Sequence, residues 1–275
     1  MKLLNSYGLP ESLVNVMCKF RKPKEDRISI SELIGAPLIR QLRKEHWDEI
    51  EEDASERLWA LLGMSLHYVL LNGSPENSFG EEKLEAKFNG ITISGQSDLY
   101  YEKEVTDWKT TSVYSFLLGI KPEWIAQLNL YRWLWEENGF EVNSLKIHAI
   151  LRDWTKSKML SNADYPKIPF ITVKIPIWKL RETEDFIKQR ITLHKTIPPP
   201  ECTSEEKWTR PNTYAVMKKG QIKAKRVLES YKEAEEWIGD QKDLFVEERK
   251  GLNVKCEEYC NVSKFCQYAQ GGDLL

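Results

Sequence analysis

The sequence has no long apolar run, no excess of charge of one sign and few cysteines. No stretch approaches the ~20 consecutive apolar residues of a membrane-spanning helix, so no membrane partner is expected. The first residues also lack an apolar segment followed by a small-residue cleavage site, which makes a cytoplasmic protein the expectation. The formal net charge is −2 over 275 residues, so bulk charge does not draw the chain to nucleic acid.

Charge of one sign is concentrated only locally. Two basic strips span residues 19–24 and 218–226. Each strip can hold phosphate groups, or it can be a solvated face of the protein.

The hydrophobic pattern divides the chain into three parts. Residues 1–54 are predicted to form a helical N-terminal segment, residues 55–197 a core, and residues 198–275 a C-terminal subdomain that begins at three consecutive prolines. Helices are predicted over 32–45 with an interruption at Ala36-Pro37, and over 56–71, 122–138 and 178–196. Strands are predicted over 83–88, 91–93, 144–151 and 170–175.

The most informative segment is an acidic hairpin in the core. Residues 96–101 and 105–109 are aromatic and β-branched runs, and they are predicted to be strands joined by a tight turn at 102–103. In that register Asp98 and Asp107 face each other, with Cβ atoms about 4.5–5.5 Å apart.

The two carboxylates and a neighbouring lysine suit chemistry on a phosphate. Because strand side chains alternate, Asp107 and Lys109 share a face, and Trp108 is expected to point the other way, into a core. Two carboxylates this close repel each other unless a cation lies between them, and Mg²⁺ prefers such oxygen ligands. An adjacent ammonium group can stabilise a developing phosphate charge. The hairpin therefore predicts hydrolysis of a phosphodiester. A similar triplet, Asp240-Gln-Lys242, is expected to be solvated surface because it lies in a polar loop.

Three polar side chains on predicted helices are further candidates. His67 is either a packed or surface residue, or a metal ligand that complements the two aspartates. Gln127 and Tyr131 are four residues apart, so they share a helix face. That face either belongs to an ordinary amphipathic helix, or it supplies a catalytic cleft in which the glutamine finds polar partners.

These residues follow one another in an order and spacing that resemble the PD-(D/E)XK nuclease superfamily, most of all its RecB-like branch. That branch includes CRISPR-associated RecB-like exonucleases and phage-encoded iron–sulfur exonucleases. The matching set is His67, Gly95-x-x-Asp98, Asp107-x-Lys109 and Gln127-x-x-x-Tyr131. The resemblance implies an α/β fold with a restriction-endonuclease-like core over residues 55–197. Such a core is a central mixed sheet flanked by helices, here with a helical N-terminal part and a cysteine-bearing C-terminal elaboration.

The resemblance also implies roles for the residues of the hairpin. His67, Asp98 and Asp107 are expected to bind Mg²⁺ or Mn²⁺ together with the backbone carbonyl of Trp108. Lys109 is expected to position or activate the attacking water. One departure from the superfamily pattern is that Ser97, not a proline, precedes Asp98; many members of the RecB-like branch lack that proline.

Two helix residues and one strand residue complete the implied site. Gln127 and Tyr131 are expected to line it and to contact DNA near the scissile phosphate. Glu85, on the strand predicted over 83–88, is a further candidate carboxylate.

The cysteines are concentrated near the end of the chain. The spacing Cys256-x3-Cys260-x5-Cys266 resembles the C-terminal triple cysteine of RecB-like nucleases that carry a [4Fe–4S] cluster, although its first gap is one residue longer. Four thiolates hold such a cluster. Cys202 is the expected fourth ligand, and Cys18 is its competitor. A structural Zn²⁺ on the same four thiolates, or unligated cysteines, are the alternatives.

The resemblance implies a metal-dependent DNA nuclease, with exonuclease activity expected, in DNA processing, recombination or repair in a bacterial or phage-infected cell. The expected substrate is single-stranded DNA or duplex ends, and candidate protein partners are a helicase, a recombinase or a single-strand-binding protein. Two alternatives are a catalytically silent DNA-binding module and a zinc-stabilised interaction protein with a nuclease-like shell.

Overall fold

A computed structural model describes residues 1–18, 20–117 and 119–269, so Lys19 of the first basic strip and the last six residues of the C-terminal subdomain lie outside the described residues. The chain divides into two compact units, Met1–Pro200 and Glu201–Leu275. No helix within the described ranges is long and apolar enough to cross a membrane.

The first unit contains strands β1 to β10 and helices α1 to α8. The strands span Lys2–Leu4, Arg27–Ser29, Glu51–Asp53, Phe79–Gly80, Lys83–Phe88, Ile91–Gln96, Leu99–Tyr101, Glu104–Thr111, Ser144–Leu151 and Phe170–Lys174. The helices span Glu11–Met17, Ile30–Ile34, Pro37–Glu45, Leu58–Asn72, Tyr114–Leu117, Pro122–Glu137, Lys156–Ser161 and Leu180–Lys195.

The central sheet of this unit has five strands in the order β10-β9-β8-β7-β4. Strands β8 and β9 run parallel, and the helix α6 connects them as a crossover, whereas the other neighbours in this sheet are antiparallel. A second sheet has the order β2-β6-β5. The expected class is therefore confirmed: an α/β fold whose central mixed sheet is flanked by helices.

Helix α6 is the centre of the core. Pro122 occupies its first turn, where the missing N–H costs nothing, and apolar side chains lie on nearly all sides of it. It contacts both sheets as well as α2 and α8, which explains why a helix with little amphipathic character is so deeply buried. Its polar Asn129 is only 1% exposed, and its amide donates hydrogen bonds to the carbonyls of Ile125 and Pro176.

The acidic hairpin forms, but it is shorter than the sequence pattern predicts. Glu102 and Lys103 have φ of 48° and 63°, so they make the two-residue turn that matches strand twist. The first run, 96–101, is not one strand. Strand β6 ends at Gln96 and β7 begins at Leu99, and these strands belong to different sheets. The chain passes from one sheet to the other between them.

The first helices differ from the prediction in where they begin: α2 begins at Ile30, two residues earlier, and α4 begins at Leu58, two residues later. The predicted helix over 32–45 is two helices, α2 and α3, because Pro37 cannot continue the first one. Ser29 caps α2 in a reciprocal capping box with Glu32. A turn of 3₁₀ helix, Ala54–Arg57, precedes α4, and its cap is Asp53, which accepts a hydrogen bond from the Ser55 N–H.

The second unit is small and mixed. Its strands β11 to β15 span Thr209–Arg210, Thr213–Lys218, Arg226–Leu228, Leu244–Arg249 and Leu252–Asn253, and its helices α9 and α10 span Ser204–Lys207 and Tyr231–Ile238. Strands β13-β12-β14 form an antiparallel sheet against which α10 packs. A single π-helical turn, Lys255–Tyr259, and a 3₁₀ turn, Ser263–Phe265, follow.

The C-terminal end of α2 is held by two side chains of α8. Arg190 donates hydrogen bonds to the carbonyls of Leu33, Ile34 and Gly35, which a helix end would otherwise leave unsatisfied. His194 Nε2 lies 3.1 Å from the Leu33 carbonyl oxygen. Because a carbonyl oxygen only accepts, Nε2 carries the hydrogen and donates the hydrogen bond. Burial lowers the pKa of His194 to about 4, and its buried Nδ1 has no hydrogen-bond partner among the residues that the structure describes.

The lowered pKa of His194 predicts a pH-dependent stability. The folded state keeps this histidine neutral down to about pH 4, whereas the unfolded chain protonates it below about pH 6.5. Its stabilising effect is therefore complete above pH 6.5 and is lost as the pH falls towards 4, by up to about 3 kcal/mol. Urea unfolding of the wild type and of His194→Gln should show a shallower pH dependence for the variant in this window. Parallel curves for the two proteins would contradict the assignment.

Candidate functional site

Strand β8 presents an almost completely buried carboxylate to the helix α6. Asp107 is 3% exposed, and this burial raises its pKa to about 6, although the charge of Lys109 acts in the opposite direction. Lys109 Nζ lies 2.6 Å from Asp107 Oδ2. The two groups therefore form an ion pair whose carboxylate is almost completely shielded from solvent. A carboxylate oxygen has more than one lone pair, so Oδ2 can accept a further ligand beside the ammonium.

Asp98 lies at the point where the chain crosses between the two sheets. The pairing of Leu99 with Thr106 is the last in the β7–β8 ladder, and one further step along this register brings Asp98 beside Asp107. The Trp108 backbone N–H donates a 2.6 Å hydrogen bond to Asp98 Oδ2. The Asp98 carboxylate thus takes the place of a backbone carbonyl as the acceptor at this point of the strand pairing. The charge of Asp98 also raises the pKa of Asp107, as expected for neighbouring carboxylates.

His67 of α4 completes this group. Its Nδ1 lies 3.2 Å from Asp98 Oδ1, and its Nε2 lies 3.2 Å from the Trp108 carbonyl oxygen. Both neighbours are acceptors, so the protonated ring can donate to both of them. The hydrogen bond to Asp98 raises the pKa of His67, and burial only partly opposes this effect. The structure thus brings His67, Asp98, Asp107 and the Trp108 carbonyl together.

Gln127 and Tyr131 of α6 extend the site in a hydrogen-bonded row. Lys109 Nζ donates to Gln127 Oε1 at 3.2 Å, and Gln127 Nε2 donates to the Tyr131 hydroxyl oxygen at 3.2 Å. Burial, and next the charge of Asp107, raise the pKa of Tyr131. The glutamine therefore fixes the ammonium group on one side and the phenol on the other.

The donors around Asp107 suit a hard divalent cation. They are two carboxylates, a backbone carbonyl and an imidazole. In residues 1–18, 20–117 and 119–269, no three His, Cys, Asp or Glu side chains are already arranged to hold a metal ion. The ring of His67 instead bridges Asp98 and the Trp108 carbonyl. As a metal ligand, His67 would be the neutral imidazole.

Other predicted residues have different surroundings. Trp108 was predicted to enter a core, but it is half-buried and packs on the rings of His148 and Phe170. The prediction was wrong because Trp108 packs against a partly exposed ring, Phe170, which is 36% exposed, and not against the buried core. Glu85 is held by Arg27 in a two-pronged ion pair of 2.5 and 2.6 Å, away from this group.

A cleft of about 360 Å³ opens beside His67 and Asp98. Arg21, Ser29 and Lys83 line it, and the sequence analysis did not single out any of them as a site residue. Arg21 belongs to the first basic strip, which was the only signal that the sequence offered. The cleft therefore reaches Asp98, His67 and Tyr131 of the site.

Ser97 and Gly95 explain how α6 comes so close to the hairpin. Ser97 is 2% exposed, and its hydroxyl accepts a 2.9 Å hydrogen bond from the indole N–H of Trp135. A proline at position 97 could not accept this bond. At Gly95, a Cβ would lie only 2.6 Å from Ile30 Cδ1 and 2.7 Å from Leu134 Cδ1.

Four cysteines of the second unit lie within electrostatic range of one another. Burial raises the pKa of Cys202 to about 12, and the thiols of Cys256, Cys260 and Cys266 each raise it further, together with Glu206. The pKa of Cys256 is raised mainly by burial and then by Cys260 and Cys266. Cys18 is exposed and belongs to the first unit.

No protein-family model and no curated protein matches the chain. Solved structures do match. The crystal structure of SSO0001 has a TM-score of 0.47 and 17% identity, covering 66% of this chain and 82% of that one. An alkaline exonuclease (LHK-Exo) from Laribacter hongkongensis has a TM-score of 0.39 and 11% identity, with coverages of 62% and 88%. A phage-related exonuclease from Haemophilus somnus 129PT has a TM-score of 0.29 and 18% identity, with coverages of 67% and 76%.

The contacts at Gly95 predict that any side chain there disturbs the site. In Gly95→Ala the new Cβ must displace Ile30 and Leu134, both 1% exposed, and it would also lie 3.0 Å from Tyr131 Cε1. Overpacking of this kind costs about 1–3 kcal/mol. Chemical denaturation should show this loss for Gly95→Ala but not for Gly73→Ala, where the nearest atom is 3.6 Å away. Equal stability of both variants would mean that α6 is not tightly packed at the hairpin.

Proposed function

We propose that this protein is a Mg²⁺- or Mn²⁺-dependent deoxyribonuclease of the RecB-like branch of the PD-(D/E)XK nucleases, with exonuclease activity on DNA ends. The observation that carries the proposal is the buried Asp107 carboxylate, which is 3% exposed, lies within electrostatic range of Asp98 and forms a 2.6 Å ion pair with Lys109. Removing a carboxylate from water costs free energy. A folded chain tolerates that cost chiefly where the carboxylate binds a ligand or takes part in a reaction.

Asp98, Asp107, His67 and the Trp108 carbonyl oxygen are the groups that would hold the cation. When bound, the cation supplies positive charge for the phosphate and lowers the pKa of a water molecule. The peptide N–H of Trp108 holds Asp98 in place through a 2.6 Å hydrogen bond, so the positions of the two carboxylates are linked through the backbone of β8.

Lys109 is the residue proposed to act on the water and on the charge that develops on phosphate. Its ammonium group is partly buried, and it is held between Asp107 and Gln127. A fixed ammonium in a site with little water stabilises negative charge far better than a mobile one on the surface. Gln127 is a positioning residue for Lys109, and Tyr131 is a positioning residue for Gln127.

The cleft supports a polyanionic substrate. Arg21 and Lys83 add positive charge to its walls, next to His67 and Asp98. Such local charge can attract a phosphate backbone although the net charge of the chain is −2. We propose DNA ends or single strands as the substrate and DNA processing, recombination or repair in a bacterial or phage-infected cytoplasm as the setting. A helicase, recombinase or single-strand-binding protein is the kind of partner that would deliver such ends.

The four cysteines of the second unit are proposed to hold a [4Fe–4S] cluster. Burial and the neighbouring cysteines raise the pKa of Cys202 and Cys256, and ligation to a metal is what converts such thiols into thiolates. A cluster would join Cys202 to the segment 256–266 and so close a long loop, which stabilises the folded unit.

The buried carboxylate gives the first test of the proposed activity. Asp107→Asn should abolish cleavage of labelled DNA in Mg²⁺ or Mn²⁺, because the amide cannot supply an anionic ligand. The variant should melt at a temperature no lower than the wild type, because a neutral amide costs less to bury than a carboxylate. The matched control is Asp240→Asn, in the exposed Asp240-Gln-Lys242 triplet, which should cleave normally. EDTA should stop the wild type, and added Mg²⁺ should restore it.

Cleavage by Asp107→Asn at the wild-type rate would refute this site. DNA binding by the wild type without any metal-dependent cleavage would instead favour a silent binding module.

Metal analysis tests the cysteine proposal. Protein purified without oxygen should contain about four iron atoms and absorb near ~400 nm, as iron–sulfur proteins do. Cys202→Ser should lose iron and colour, whereas Cys18→Ser should keep both. Zinc in place of iron in anaerobic protein would contradict the cluster, and iron loss in Cys18→Ser alone would identify that residue as the fourth ligand.

A further inference from the structure

Helix α4 carries His67 into the site, yet no side chain of this helix is buried. Its outer surface is apolar and aromatic, and Trp59 and Tyr68 are each 68% exposed. Apolar side chains on all sides of a helix normally indicate that something covers it. In α4, the uncovered surface adjoins the candidate active site.

Trp59 is already paired with a cation. The guanidinium carbon of Arg152 lies 4.8 Å from the centre of the Trp59 ring. Arg152 directly follows β9, and its backbone N–H donates a 2.9 Å hydrogen bond to the carbonyl of Thr111, two residues beyond Lys109 on β8. Within residues 1–18, 20–117 and 119–269 we find no carboxylate paired with Arg152, so its charge is available.

One side of α4 connects this pair to the site. Trp59, Gly63 and His67 are spaced by four residues and so lie on one side of the helix. A Cβ at Gly63 would meet nothing within 4 Å, so there is open space between the indole and the imidazole. The eight residues from Trp59 to His67 correspond to about 12 Å along the helix axis. That length matches about three stacked nucleotides at 3.4 Å each.

We propose that Trp59 and Arg152, here called the stacking pair, bind an unpaired base of the DNA strand that enters the site. The occupant is single-stranded nucleic acid, and the nuclease therefore acts on single strands or frayed ends. This inference rests on the proposed function, because it uses the site at Asp98 and Asp107 as the place where the strand is cut.

The chemistry of the stacking pair fits a nucleotide better than a second protein surface. An indole ring and a guanidinium plane both stack on bases, and the guanidinium also pairs with phosphate. A contact between two copies of the chain would cover the apolar side chains of α4 but would also bury Arg152 without an acidic partner, which is costly.

Binding without cleavage tests the inference by itself. Affinity for a fluorescein-labelled oligothymidine is measured in EDTA by anisotropy and compared with an oligonucleotide of the same length whose sugars carry no bases. In Trp59→Ala, affinity for oligothymidine should fall about 5- to 100-fold, the effect expected for the loss of one stacked base. Affinity for the abasic strand should not change. Trp59→Phe should retain most of the affinity, because its ring still stacks.

The matched control is Trp237→Ala, which removes an exposed tryptophan from a helix of the second unit and should bind oligothymidine as the wild type does. Equal affinity of Trp59→Ala and the wild type for oligothymidine would overturn the inference, as would equal loss for the abasic strand. A change in sedimentation from dimer to monomer in Trp59→Ala, with unaltered DNA affinity, would also overturn it and identify α4 as a contact between copies.

Cleavage assays on the same proteins separate this inference from the proposed function. Trp59-dependent binding by a wild type that cuts no DNA would support the stacking pair and refute the nuclease. A wild type that cuts DNA, with a Trp59→Ala variant that binds and cuts single strands equally well, would support the nuclease and refute the stacking pair.

Discussion

The structure around the site depends on one constraint, the burial of a carboxylate between the central sheet and the helix α6. Asp107 is 3% exposed and faces the helix that connects the parallel strands β8 and β9. Its negative charge cannot be solvated there, so every polar group nearby is arranged with respect to it. Lys109 supplies the nearest positive charge, and Gln127 of α6 holds that ammonium group in place.

The same constraint explains two unusual features of the chain path. A crossover between sheets at Ser97 and Asp98 frees the Asp98 side chain to accept the Trp108 N–H, which a continuous strand would have used in its ladder. Gly95, without a side chain, then lets α6 and α2 pack against this crossover. The hydroxyl of Ser97 satisfies the buried indole of Trp135. Backbone geometry and close packing together therefore determine where the two acids lie.

Much of this arrangement could be predicted from local sequence. The turn at Glu102 and Lys103 and the alternation along β8 indicate that Asp98 and Asp107 come together, and the proline that opens α6 indicates where the next helix starts. The break between β6 and β7 could not be predicted, because residues 96–101 have the composition of one strand and only long-range packing divides them. The burial of Trp108 was predicted wrongly for a related reason. Alternation along a strand shows which residues share a face, but it does not show how deeply each side chain is buried. The contact of His67 with Asp98 joins residues 31 positions apart, so only the family resemblance pointed to it.

The central claim is that the acids at Asp98 and Asp107 hold one divalent cation. Crystals soaked in MnCl₂ and measured at the manganese absorption edge test it most directly, because anomalous scattering locates the ion without reference to activity. We predict a single strong peak between the carboxylates of Asp98 and Asp107, within bonding distance of the Trp108 carbonyl oxygen, that disappears in Asp107→Asn. A peak elsewhere with none between these two side chains at saturating manganese would contradict the account.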